Sequence, residues 1–138
     1  MNTLENFSTS RKMFKSDIGH KEWAFSAGHI PLRSTGKEPA FTSHDKISVL
    51  NTSDSEAEIR ITVFYEDKSP VKDHSITIPP RRIRKIKFND LIDPLPIPLD
   101  EPFGFVVQSN VPVIVQFSRM NTSAKNLAMF CATPYAKR

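Results

Sequence analysis

Phe88-Asn89-Asp90-Leu91, Asp93-Pro94-Leu95-Pro96-Ile97-Pro98 and Gln108-Ser109-Asn110-Val111-Pro112-Val113-Ile114-Val115-Gln116, closing on Arg119, form the stretch that decides the fold. Proline fixes φ and withholds a backbone donor, so Pro94, Pro96 and Pro98 at alternate positions suit neither a sheet interior nor a helix. They read as a stiff extended connection between a strand ending near Phe88 and a strand pair, Phe103–Ser109 and Pro112–Met120, joined by a tight turn at Asn110-Val111. Nothing in the stretch is a reaction centre. The reading is a small, rigid β domain built for contact with a partner.

Working outward, Glu56–Tyr65 is the clearest strand, with Ile59, Ile61, Val63 and Tyr65 on one face and Glu58, Arg60 and Thr62 on the other. Lys21–Ala27, a segment ending at Leu50, Ser75–Ile78, Arg82–Phe88 and Leu127–Thr133 complete about eight strands, punctuated by Asn51–Ser55, Ser69-Pro70 and Pro79-Pro80. No segment has the apolar spacing of an amphipathic helix, and no internal repeat is visible. The expected fold is all-β, a single-domain antiparallel β-sandwich over residues 21–138, preceded by a polar, flexible N-terminal arm over residues 1–20. Phe105-Val106-Val107 and Val113-Ile114-Val115 are apolar on both faces, so their outer faces need cover, either from a second copy or from the arm and long loop.

The 138 residues suffice for one hydrophobic core without disulfides or metal. Cys131, the single cysteine, excludes an intrachain disulfide and is expected as a small buried thiol. The polar start of the chain lacks a secretory pattern, so a cytoplasmic location is expected. The apolar runs fall far short of the ~20 residues a membrane helix needs.

Net charge is +4, and its placement says more than its size. Arg81, Arg82, Arg84, Lys85 and Lys87 fall within seven residues, while the rest of the chain carries fourteen basic and fifteen acidic residues. This ribbon is the candidate contact for an anionic partner, with arginine able to engage two oxygens of a phosphate or carboxylate. Charges that protect an edge strand from aggregation give the same pattern, and both readings stand at this point.

The four histidines fall singly, without a second histidine or cysteine at zinc-ligand spacing, so no metal is signalled. Ser43-His44-Asp45 has the letters of a hydrolytic triad, but adjacent residues in a strand point to opposite faces and cannot align. Phosphate loop, nucleophile elbow and dinucleotide fingerprint are missing, and neither a cofactor nor an enzymatic activity is expected. Trp23, His44, Gln116 and Arg119 are the candidates for a ligand cleft. Trp23 suits stacking on a sugar ring, although a tryptophan at the start of a sandwich strand is more often part of the core, where large aromatic rings dominate burial.

The chain resembles the family of small proteins named after the transducer of the Anabaena sensory rhodopsin. The resemblance spans about Glu22 to Tyr135 and rests on Trp23-Ala24, Gly28, Ile30-Pro31, Glu38-Pro39, Phe41, Ser43-His44, Leu50-Asn51, Tyr65, Asp67-Lys68, Pro70-Val71 and Arg81-Arg82. It continues through Phe88-Asn89-Asp90-Leu91, Asp93-Pro94, Pro96-Ile97-Pro98, Gln108-Ser109-Asn110-Val111-Pro112, Val115-Gln116 and Arg119. It implies a β-sandwich protomer, a cyclic homotetramer, a cytoplasmic location and, for the founding member, docking to a membrane photoreceptor. The family fold is also similar to carbohydrate-binding sandwiches, and DNA binding has been proposed for the group. No catalytic activity is implied, and no set of functional residues is carried over. The expectation is a non-enzymatic signal transducer or adaptor, a homo-oligomer that binds a membrane receptor. Sugar or small-ligand binding and DNA-binding regulation are the other readings.

Overall fold

The computed structural model describes residues 18–38 and 42–138, so the expected arm lies outside the described residues as far as residue 17. Eight strands follow in chain order: β1 His20–Gly28, β2 His44–Asn51, β3 Ala57–Tyr65, β4 Val71–Ile78, β5 Arg82–Lys87, β6 Phe103–Asn121, β7 Ala128–Ala132 and β8 Tyr135–Lys137. Between β5 and β6, Phe88–Asp90 makes one 3-10 turn. Among the described residues no helix is long and apolar enough to cross a membrane.

All pairings are antiparallel, as expected for a β-sandwich. One ladder runs β4-β3-β6-β1-β8, and a second runs β5-β2-β6-β7. β6 belongs to both. Its first part pairs with β1 and β3, from Phe103 to Ser109 against β3, and its last part pairs with β2 and β7, from Ile114 to Asn121. At nineteen residues it spans roughly 60 Å.

The turn expected at Asn110-Val111 is therefore absent, and the chain continues as one strand. Pro112 sits between the last β3 partner, Ser109, and the first β2 partner, Ile114, where neither ladder asks for its missing N–H. Asn110 stays extended and stands in for the ladder with its side chain, accepting from the Glu58 N–H at 2.7 Å and donating to the Glu56 carbonyl at 3.3 Å. The total of eight strands holds for a different reason than the sequence reading gave. Two expected strands merge into β6, and β8 is added beyond β7.

Burial follows the two-residue period. In β3 Ala57, Ile59, Ile61 and Val63 are buried while Glu58, Arg60 and Phe64 are exposed. Phe88, Phe105 and Phe117 are the largest fully buried side chains. Phe25 stacks on Phe117 with ring centroids 4.1 Å apart, and Phe88 lies 4.6 Å from Phe105. This aromatic chain joins the two halves of β6 through the core, in tilted and stacked arrangements that aromatic pairs favour. Cys131 departs from expectation: it is exposed, because β7 is an edge strand paired with β6 alone among the described strands.

Candidate functional site

The basic ribbon is divided by the two-residue period of its strand. Ile86 is buried opposite Ile47, so Arg82 and Arg84 share its inward-turned face. Arg84 closes the gap between the two sheet edges, donating from Nη1 to the Thr77 carbonyl of β4 at 3.0 Å. Ile83, Lys85 and Lys87 point outward, and the register sets Lys87 opposite Lys46 and Lys85 opposite Ser48. Arg81 stands before the strand with φ of 53°, its N–H on the Ser53 carbonyl and its side chain 3.5 Å from Asp54.

The five residues thus divide among three directions. The outward lysines gain Lys46, which sequence reasoning missed because a cross-strand neighbour is fixed by register and leaves no local signal. On the same outer face Leu50 lies between Ile83 and Ile114, and Ser48 lies between Lys85 and Gln116. The result is a short apolar row, Ile83–Leu50–Ile114, followed along the strands by Lys85 and Gln116 and then by Lys87 and Lys46.

The four residues considered for a ligand cleft are not brought together. Trp23 is 6% exposed in the core, and its Nε1 donates to the His20 and Val113 carbonyls at 3.0 and 3.1 Å. Gln116 is exposed on the outer face just described. His44 is buried, with Nδ1 2.9 Å from the Thr42 carbonyl.

Arg119 turns inward to Asp45, which is fully buried, and makes two contacts with its carboxylate, Nε to Oδ1 at 2.7 Å and Nη2 to Oδ2 at 3.0 Å. Its Nη2 also donates to the Ala27 carbonyl, and its guanidinium lies 5.1 Å from the Phe130 ring and 5.5 Å from the Phe117 ring. Asp45 Oδ2 accepts in addition from the His29 N–H at 2.7 Å. With its charge and main donors engaged, this pair has a structural occupation: it ties β1, β2, β6 and β7 at one end of the sandwich.

Sequence reasoning also missed an apolar trough on the outer face of the β3-β6-β1-β8 ladder. Its volume is about 500 Å³, and Phe64, Tyr65, Gly104, Val106, Ala24 and Tyr135 line it. Tyr135 is 73% exposed and Phe64 is 42% exposed, which leaves two rings open to a ligand or partner. A side chain at Gly104 would press on the Phe25 carbonyl at 3.0 Å, so glycine keeps the floor open. Burial pushes the Tyr65 hydroxyl above its usual pKa, offset in part by Lys68, whose Nζ lies 4.9 Å over that ring and 2.6 Å from Glu101. The signal in sequence was Phe64, which interrupted the polar face of β3. Its partner Tyr135 belongs to a strand the reading did not contain.

Among the described residues no group of three or more His, Cys, Asp or Glu side chains is arranged to hold a metal ion.

No curated protein matches the chain. Solved structures do. The crystal structure of Thermotoga maritima 1070 is 32% identical, with a TM-score of 0.76, covering 87% of this chain and 97% of that one. The Anabaena sensory rhodopsin transducer is 47% identical, with a TM-score of 0.67, covering 72% of this chain and 87% of that one. The family model described as Anabaena sensory rhodopsin transducer matches residues 18–136, which takes in every strand from β1 and all but the last residue of β8. With that match spanning the whole double ladder, the chain belongs to the Anabaena sensory rhodopsin transducer family.

Proposed function

We propose that the protein is a non-enzymatic cytoplasmic signal transducer, a homo-oligomer that docks on the cytoplasmic side of a membrane receptor. The observation that carries this reading is the family match over residues 18–136 together with 47% identity to a protein named as a sensory rhodopsin transducer. The surface chemistry supports it. Lys46, Lys85 and Lys87 lie together on the outer face beside an apolar row of Ile83, Leu50 and Ile114, a composition suited to an acidic receptor loop or to the anionic headgroups around it. For self-association the supporting feature is β7: Ala128-Met129-Phe130-Cys131-Ala132 is an exposed edge strand without one charge.

Affinity capture from nuclease-treated membranes tests the docking. The unchanged chain should retain an integral membrane protein that the Lys46→Glu, Lys85→Glu variant releases; equal retention by both would sink the role given to this face. The same charges serve the DNA reading, which calls for a different response. Phosphate-driven binding weakens by orders of magnitude between about 50 and 200 mM salt, so a salt titration against duplex DNA separates the two.

The reading as a sugar-binding sandwich is favoured by one observation, the trough between Phe64 and Tyr135 over the Gly104 floor. Two exposed aromatic rings beside an open floor suit the apolar face of a sugar ring, and Trp23 is engaged in the core instead. Tyr135→Ala should abolish oligosaccharide retention on a glycan surface if this reading holds.

A further inference from the structure

Two hollows lie in line along β1 on the outer face of the β3-β6-β1-β8 ladder. One is the trough beside Phe64, and the other, of about 310 Å³, is lined by Glu22, Trp23, Ala24, Val106, Tyr135 and Lys137. They share Ala24, Val106 and Tyr135, so together they make one groove running with the strand. The end nearest the start of β1 is polar, where the register sets Gln108 between Arg60 and Glu22, and Glu22 opposite Lys137. The far end is apolar, with Phe64, Val106 and Tyr135 around Gly104 and the exposed Glu66 at its rim. Glu66 makes no ion pair among the described residues.

The apolar run Phe105-Val106-Val107 called for cover on both faces. In the structure Phe105 and Val107 are buried on the inner face, while Val106 is only half-buried in the groove. Apolar surface gathered in one place and left open marks a contact still to be made.

The chain itself supplies a segment that fits. His20 pairs with Val113 at the start of β1, and the chain bends at Gly19, whose φ of 104° is a glycine conformation and where a side chain would strike the Val113 carbonyl. The bend takes Ile18, which is 55% exposed, off the line of β1. Before Asp17 the sequence reads Arg11-Lys12-Met13-Phe14-Lys15-Ser16. Phe14 is four residues before Ile18, and Ala24 is four residues after His20. An extended segment doubling back at Gly19 therefore brings Phe14 level with Ala24, about 13 Å from the bend, and Lys12 level with Ser26. Two apolar side chains meet the apolar half of the groove, and two cations approach Glu66. The family match begins at residue 18, so the segment lies outside the matched region and is a feature of this chain.

We propose that residues 11–15 lie as a strap along this groove of their own chain, with Met13 and Phe14 between Phe64 and Tyr135 over Gly104 and with Arg11 and Lys12 on the Glu66 side. Docking removes apolar surface of both partners from water. The short tether makes the encounter intramolecular, so a small contact area is enough to hold it. The strap has to leave before any ligand or partner reaches the trough. It lies on the other ladder from Lys46, Lys85 and Lys87, and it stands or falls independently of receptor docking there.

The test uses the full chain carrying Cys131→Ser and Ser10→Cys, which leaves one thiol for a nitroxide label. In ¹⁵N-labelled protein the label should broaden the amide signals of Ser26, Phe64 and Gly104 far more than those of Ser48 and Lys85 on the opposite face. Adding Met13→Asp and Phe14→Asp should abolish that broadening with the remaining spectrum intact. The same pair of changes should speed tryptic cleavage after Lys15 about tenfold or more, since cleavage follows the undocked population. Unbroadened trough signals, or broadening and cleavage that ignore the two aspartates, would overturn the strap. Broadening that appears only when the nitroxide and the ¹⁵N label are on separate molecules of a mixed sample would overturn it as well, giving the groove to a second copy.

Discussion

At the scale of single residues, two polar groups in the interior are held in different ways. Asp45 is fully satisfied by Arg119 and the His29 N–H, so removing one partner leaves a charge buried beside a gap. Arg119→Met should cost about 3–5 kcal/mol in urea unfolding, and the joint change Asp45→Leu, Arg119→Met should cost far less. His74 is buried with no charged partner seated on it, and its pKa lies below the usual value of about 6.5 because burial disfavours the charged ring, a fall that Asp93 only partly opposes. The unfolded chain then binds the extra proton first. Stability from the neutral ring is complete above about pH 6.5 and declines as pH falls below it, so between about pH 7 and pH 5 the thermal midpoint of the unchanged protein should drop more than that of His74→Leu. Sequence gave no warning of either arrangement. Asp45 was adjacent to His44 in a meaningless triad, and its partner lies 74 residues away; His74 carried no motif because its orientation depends on a bulge between Val71 and His74.

At the scale of elements, alternation made the strands legible and register remained hidden. The buried positions of β3 were readable from Ile59, Ile61 and Val63, and Trp23 fitted the core reading that was weighed beside sugar stacking. Asn110-Val111-Pro112 carried turn residues at a place where the strand does not turn but exchanges partners, and local propensity cannot tell those apart. Asn110→Ala, which leaves the Glu58 N–H without its side-chain acceptor, should destabilise by about 1–2 kcal/mol, and its amide should exchange faster in hydrogen-exchange measurements. The edges contrast as strongly as the interior. β5 carries Arg82, Arg84, Lys85 and Lys87, which discourage pairing with another sheet, whereas β7 carries none. Met129→Lys should therefore lower the mass measured by light scattering if β7 joins copies of the chain, and an unchanged mass would remove β7 from the assembly.

On the scale of the whole molecule, charge and apolar surface are arranged by the sheets and cannot be ranked from the order of residues. The ribbon from Arg81 to Lys87 looked like one patch because it is one segment, yet strand geometry divides it into an inward pair, an outward pair and a turn residue. Reversing Lys46 and Lys85 should weaken receptor capture several-fold while the thermal midpoint moves little, since both sit on a solvated face away from the core. The long strand shared by both ladders has a further consequence, and it concerns the order of synthesis. Among the described strands β1 finds its partners only in β6 and β8, and β2 meets β6 some seventy residues downstream. On a ribosome adding roughly 5–20 residues per second, the β3-β4 and β2-β5 ladders can form as their strands emerge, while Trp23 and Phe25 wait several seconds for Val107, Phe105 and Phe117. A nascent chain halted before residue 103 should remain open to protease, and one that has exposed residue 121 should become resistant in a single step, because the axle on which both sheets turn is the last long piece to arrive.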